Sequence, residues 1–183
     1  IYGITTELKQ RVHYAPHDSP FSVPSTVFGL YEDSERNLWF GSYTNGLGRL
    51  DKKTGQCSYL QNLTDKHGNR IQRVYDLVED QDKRLWIATM GAGLFYYDLK
   101  TGQSVYDPKF NAATEKYKWI SCLLYAGDNH LYVGTYDGIR CIDLSTDDFK
   151  TEEILSRHLI QSLYEHPQGN IWIGSSDGLA EWN

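Results

Sequence analysis

The sequence predicts an all-β fold: a β-propeller of four-stranded antiparallel blades, about four of them in 183 residues. Three observations predict it. A pattern repeats at the spacing of one propeller blade, roughly 40 to 50 residues. Inside each copy, short β-prone runs alternate with Gly-, Asn- and Asp-containing turns. Nowhere does an apolar i, i+3, i+4 spacing persist long enough for an amphipathic helix.

The repeat is legible in four copies. They are VFGLYEDSERNLWFGSYTNGLGRLDKKTGQCSYL from Val27, VYDLVEDQDKRLWIATMGAGLFYYDLKTGQSVYD from Val74, ISCLLYAGDNHLYVGTYDGIRCIDLSTDDFK from Ile120 and IQSLYEHPQGNIWIGSSDGLAEWN from Ile160. One aromatic anchors each copy: Trp39, Trp86, Tyr132 and Trp172. Helical solenoids have similar periods, so the local pattern decides. Val27 to Tyr31, Leu38 to Ser42, Leu47 to Leu50 and Gln56 to Leu60 read as four strands of a meander, joined by tight turns. The blades are placed at about 1–14 (partial), 25–60, 72–107, 118–150 and 158–183, the last without its fourth strand.

Composition agrees. Aromatics make up 14 % of the chain, with 14 Tyr, 5 Trp, 16 Gly and a single Met, a balance that favours strands and turns. The formal charge of −6, with Lys and Arg scattered singly, argues against a nucleic-acid partner. No apolar run approaches the roughly 20 residues that span a bilayer, so no membrane contact is expected of this segment. Cys57, Cys122 and Cys141 have no metal-ligand spacing and an odd count, and read as buried small hydrophobes.

Two sets of glycines have a mechanical reading. Gly46, Gly93, Gly138 and Gly178 each precede Leu or Ile at a turn that calls for positive φ. Gly41, Ala88, Gly134 and Gly174 follow the anchoring aromatic in mid-strand, where a neighbouring blade or the repeated ring is expected to come close. A leucine at Gly174 is expected to unfold the last blade.

The string Leu30-Tyr31-Glu32-Asp33 with Leu38-Trp39-Phe40-Gly41-Ser42 returns as Leu77-Val78-Glu79-Asp80 with Leu85-Trp86-Ile87-Ala88-Thr89. It returns again as Leu163-Tyr164-Glu165 with Ile171-Trp172-Ile173-Gly174-Ser175. This resembles the two-component regulator propeller repeat of the periplasmic sensor region of Bacteroides-type hybrid histidine kinases. The third copy departs from it, with Tyr125-Ala126-Gly127 in place of the acidic pair and Tyr132 in place of Trp. The resemblance implies large propellers ahead of a transmembrane helix and a kinase. A seven-bladed ring needs about 315 residues at this period, so the chain reads as a fragment of a larger ring, and its N-terminus, IYGITTELKQ, begins as if in mid-strand. Gly3-Ile4 and Arg11 to Tyr14 read as the tail of a preceding blade; closure of the ring by Arg11 to Tyr14 is the alternative.

Catalytic constellations are missing: there is no GxSxG, HExxH, P-loop or GxGxxG after a strand. No cofactor and no metal are expected, since Pro16 between His13 and His17 rules out a shared helical face. The Glu-Asp pairs recur from blade to blade, which points to turn capping; an active site needs one copy, a fold needs every copy. Binding is better placed on the non-repeating segments His17 to Thr26, Leu63 to Gln72, Asn111 to Lys118 and Thr151 to His158. At the expected channel mouth stand Arg73, Trp119 and His158, with Tyr43, Asn45, Met90, Tyr136, Asp137 and Asp177 on the short turns around them. A stacking aromatic with Asn, Asp and Arg suits a sugar ring. The function expected is extracytoplasmic, periplasmic sensing of a ligand, which the resemblance implies is a polysaccharide-derived oligosaccharide. A structural or dimerisation scaffold is the second reading, with other propeller blades or a second copy as partners. A propeller lyase or glycosidase, with His158 as its lone channel histidine, is the third.

Overall fold

The computed structural model describes residues 26–65, 67–106, 111, 119–146 and 149–182. His13, His17 and the strands expected at Gly3-Ile4 and Arg11 to Tyr14 lie outside them. The fold is a propeller arrangement of antiparallel blades. The first blade is β1 (Val27–Glu32), β2 (Leu38–Ser42), β3 (Leu47–Leu50) and β4 (Cys57–Tyr59). The second is β5 (Val74–Glu79), β6 (Arg84–Thr89), β7 (Leu94–Asp98) and β8 (Gln103–Val105). The third is β9 (Ile120–Ala126), β10 (His130–Thr135), β11 (Gly138–Asp143) and β12 (Thr151–Ser156). The fourth has three described strands, β13 (Ile160–Glu165), β14 (Ile171–Ser175) and β15 (Gly178–Trp182). Each blade is a meander in sequence order, and β1, β5, β9 and β13 pack in succession as the inner strands.

One segment read as an irregular loop is a strand. Thr151–Ser156 forms β12 and pairs with β11, so the third blade extends beyond residue 150. Its TEEILS run is an outer edge strand, where one side faces water and Glu152 and Glu153 are tolerated.

Period-two alternation explains why the second strands are apolar throughout. In β6, Leu85 and Ile87 pack toward blade one, in a cluster with Trp39, Leu47, Leu63 and Ile71. Their neighbours Trp86 and Ala88 face the other way, toward Ile120, Leu123, Leu131 and Val133 of blade three. A third cluster joins Tyr132, Ile139 and Cys141 to Ile160, Ile171 and Ile173 of blade four. A strand buried on both faces has no polar side, and none is seen. The three cysteines are buried and free, and burial pushes the Cys122 thiol up to about 12.

The recurring aspartate is what holds the anchoring indole. Asp33 Oδ2 accepts from Trp39 Nε1 at 2.7 Å and from Asn37 Nδ2 at 2.9 Å, while its Oδ1 accepts the Glu35 and Asn37 amides. Asp80 repeats this, with Oδ2 accepting from Trp86 Nε1 at 2.7 Å and Arg84 Nε at 2.6 Å, and Oδ1 accepting the Asp82 and Arg84 amides. Blade three shows the converse. Tyr132 has no indole N–H to satisfy, and a buried Ala126 stands where the carboxylate was.

Burial works against ionisation of Asp33, but the donors from Trp39 and Asn37 outweigh it and hold its pKa below the usual carboxylate value. A folded-state pKa below the unfolded one contributes stability above about pH 4 that is lost as pH falls further. Asp33→Asn is therefore expected to flatten the acid side of the stability-versus-pH curve, checked by urea titrations at stepped pH; an unchanged acid limb would refute this assignment.

The mid-strand glycines mark where the next blade comes close, at two positions of three. A Cβ at Gly41 would sit 2.5 Å from the Val74 carbonyl oxygen, and one at Gly134 would sit 2.9 Å from Ile160 Cγ2, both on the following blade. At Gly174 the nearest atom is the Ser162 hydroxyl of its own blade, 2.4 Å away, which can rotate aside. The severe position is Gly41, not Gly174. Among the turn glycines, Gly138 has φ 123°, and a Cβ there would come within 1.9 Å of the Leu155 carbonyl oxygen.

Candidate functional site

Four hydrogen bonds place the predicted site residues on one face. The residue leaving the second strand of each blade donates its amide to the residue entering the inner strand. Tyr43 N–H reaches Thr26 O (3.3 Å), Met90 N–H reaches Arg73 O (3.0 Å), Tyr136 N–H reaches Trp119 O (3.1 Å) and Ser176 N–H reaches Leu159 O (2.9 Å). An antiparallel pair, one strand ending where its neighbour begins, makes this unavoidable.

Within that face the structure brings together Tyr43, Arg73, Tyr136 and Trp119. The Arg73 guanidinium lies over the Tyr43 ring at 5.1 Å. Trp119 and Tyr136 have ring centroids 5.4 Å apart, and a bridge from Trp119 to Met90 ties this pair to the blade-two turn. Tyr43, Tyr136 and Trp119 are each exposed. His158 and Asp177 form a separate ion pair on blade four, His158 Nδ1 against Asp177 Oδ2.

Asn45 and Asp137 bond both within their turns and beyond them. The Asn45 side chain takes a hydrogen bond from Thr44 Oγ1, and its backbone carbonyl accepts Arg70 Nη2 at 3.2 Å. Asp137 donates its amide to Thr135 Oγ1, and its carbonyl accepts the Arg157 amide.

Sequence reasoning missed two members. Every inner strand slips register at its second residue, opposite Gly41, Ala88, Gly134 and Gly174 of the neighbouring strand. Such a bulge adds twist and re-aims a side chain. The residues there are Phe28, Tyr75, Ser121 and Gln161. Phe28 and Tyr75 stack across the blade boundary, 4.3 Å between centroids and 13° between planes. Phe28 also meets Tyr43 edge-on at 6.1 Å. Burial, then the nearby phenols Tyr136 and Tyr43, raise the Tyr75 pKa, with Arg73 opposing them. Tyr75 thus belongs to the Phe28–Tyr43 group and lies within electrostatic reach of Tyr136 in the other. A signal was present: positions two and three of the inner strand vary between copies, while the first is Val or Ile and the fourth is always Leu.

Behind this surface the inner strands are clasped together. Asp76 Oδ2 accepts the Leu123 amide of the next blade at 2.8 Å, and burial pushes the Asp76 carboxyl up against the pull of that bond. Ser121 Oγ bonds the Gly134 carbonyl at 3.1 Å and also the Ile160 carbonyl of blade four. The platform is therefore rigid. Among the described residues no group of His, Cys, Asp and Glu could hold a metal ion, and no helix is long and apolar enough to cross a membrane.

The fold is thus a propeller with non-repeating aromatic and polar side chains gathered on its loop face. The model of the two component regulator propeller family matches three stretches of the chain, residues 23–44, 70–91 and 154–177. The third blade, which lacks both the acidic pair and the Trp, is the one left unmatched. No curated protein sequence matches the chain. Among solved structures it is similar to the extracellular domain described for hybrid two component system BT3049 of B. thetaiotaomicron, at 19% identity and a TM-score of 0.71. That match covers 93% of this chain and 22% of the other. The extracellular domain of BT4673 from the same bacterium, described as a one component system, matches at 21% identity and a TM-score of 0.79, over 97% and 26%. PorZ of the type-IX secretion system of Porphyromonas gingivalis matches at 12% and 0.67, over 93% and 28%. At such identities the likeness is one of fold, and the chain spans about a quarter of each of these structures.

Proposed function

We propose that this chain is the ligand-recognition part of an extracytoplasmic, periplasmic sensor in two-component signalling, and that it binds an oligosaccharide released from a complex polysaccharide. The observation that carries this reading is the joined aromatic surface of Phe28, Tyr43, Tyr75, Tyr136 and Trp119. Flat apolar rings bordered by phenol hydroxyls and a guanidinium suit a sugar, which has apolar C–H faces and a rim of hydroxyls. The repeat family and the extracellular two-component domains among its structural neighbours support the sensory setting. The signal is then read by a kinase outside this segment.

The test is calorimetric titration with a panel of oligosaccharides cut from complex polysaccharides, with a parallel assay for turnover. Binding without turnover is expected. Tyr75→Ala and Trp119→Ala are each expected to weaken it about tenfold, since a lost stacking ring is worth about 1.4 kcal/mol. Failure of every glycan to bind would remove the reading; turnover would move it to a lyase or glycosidase, with the His158–Asp177 pair as its first suspects.

A scaffold reading rests on a different observation. Leu179 is 73% exposed, whereas Leu94 at the same place in blade two is 0% exposed under blade three. Leu30 and Tyr164 are likewise open. These faces have the chemistry of the interior blade contacts and suit further propeller blades or a second copy of the chain.

A further inference from the structure

We propose that the ligand of this face carries an anionic group, a carboxylate or a sulfate, and that Arg70 and Arg73 hold it against the turn Met90-Gly91-Ala92. The inference rests on the sensing reading above and names the chemistry of its ligand. A cleft of about 310 Å³ lies beside the aromatic surface, lined by Asp65, Arg70, Gln72, Arg73, Met90 and Gly91, among others. Both arginines project from one short segment that is pinned in place. Ile71 between them is buried, its amide donates to Leu63 O at 3.0 Å, and Gln72 O accepts Gly46 N–H at 2.8 Å.

Neither guanidinium has a carboxylate partner among the described residues, in contrast to Arg36, Arg84 and Arg140. Arg70 reaches only a neutral carbonyl, that of Asn45, and Arg73 only the Tyr43 ring face, which leaves its N–H edge free to donate. Asp65 lines the cleft too but makes no ion pair with either arginine. Its Oδ1 accepts the His67 and Asn69 amides, both at 2.8 Å, and its Oδ2 accepts Asn69 Nδ2 at 3.0 Å, so its lone pairs serve its own turn.

The opposite wall is the Met90 turn. Gly91 has φ 95° and open space beside its α-carbon, so a ligand can approach the backbone of this turn closely. Two forked cations lining one cleft, with no carboxylate partner among the described residues, match a planar carboxylate or a sulfate, which takes several charge-assisted hydrogen bonds at once. On a chain with net charge −6 this is a local reversal of sign, not a consequence of overall basicity.

The experiment titrates the chain with matched pairs of probes: trigalacturonate against its carboxyl-reduced neutral counterpart, and a chondroitin-sulfate disaccharide against its desulfated form. The first pair reports a carboxylate and the second a sulfate. In at least one pair the charged member is expected to bind tenfold or more tighter, with affinity falling as salt rises. Arg70→Gln is expected to erase that preference while leaving the neutral member's affinity unchanged; Arg73→Gln is expected to erase it and also to weaken the neutral member, and Arg73→Lys to restore part of the preference. Equal affinity for charged and neutral members, or a preference that survives both Gln variants, overturns the anion site and leaves the sensing reading standing. Absence of binding by all four probes and by the neutral glycan panel overturns both.

Discussion

Asp80→Ala is expected to lower the unfolding free energy by about 3–5 kcal/mol, the range for removing one partner of a buried charged pair. Its carboxylate is fully buried and receives four donors, from Trp86 Nε1, Arg84 Nε and the amides of Asp82 and Arg84. Alanine leaves all four without an acceptor beneath the most buried indole of the chain. Asn is expected to rescue little, because its amide nitrogen would face the Arg84 and Trp86 donors. Urea unfolding followed by tryptophan fluorescence reads the effect. Adding Trp86→Phe to Asp80→Ala should cost less than the two changes summed, since the orphaned indole donor is then gone; strict additivity would sink the account. The carboxylate is not universal in the repeat: blade three has Ala126 with Tyr132, and blade four has His166 with Trp172.

Gly41→Leu is expected to cost about 3 kcal/mol or more, at the upper end of overpacking effects. The first side-chain atom alone would press to within 2.5 Å of the Val74 carbonyl oxygen and 2.7 Å of its Cγ1. The carbonyl belongs to β5, the innermost strand of the next blade, so relief requires parting two blades. For a chain of this length the midpoint temperature should fall by roughly 6–12 °C, at about 2–4 °C per kcal/mol. Gly174→Leu meets a rotatable hydroxyl and should lower it by far less. A larger loss at Gly174 than at Gly41 would contradict the blade packing described.

Much of the fold was legible because it repeats. Four copies of a Leu-Trp-Ile-Gly string report strand, turn and burial four times over, and errors in one copy are corrected by the others. Thr151–Ser156 was misread as a loop because TEEILS lacks the aromatic and glycine signals of the other copies, and only its pairing with β11 identifies it as a strand. The candidate face was partly legible. Arg73, Trp119, Tyr43 and Tyr136 stand at recognisable offsets from the repeat, and the amide contacts between strand ends bring them to one side. Phe28 and Tyr75 were missed because they sit inside a repeated strand and were counted as part of it. Asn45, named from the sequence as a candidate, has its side-chain oxygen hydrogen-bonded by Thr44.

What the sequence determined by itself is the blade: its strand order, its anchoring aromatic and the turns that need glycine. These are local matters, settled within about forty residues by pleat, burial and backbone sterics. Tertiary structure decided what happens between blades. The bulge that turns Phe28 onto Tyr75, the guanidinium of Arg73 laid on a tyrosine of the preceding blade, and the cleft that gathers Arg70 and Arg73 against the Met90 turn all join residues of different repeats. A period fixes how far apart two copies lie along the chain. It does not specify how their side chains meet, since that depends on the twist each bulge adds and on how closely glycine lets one blade approach the next.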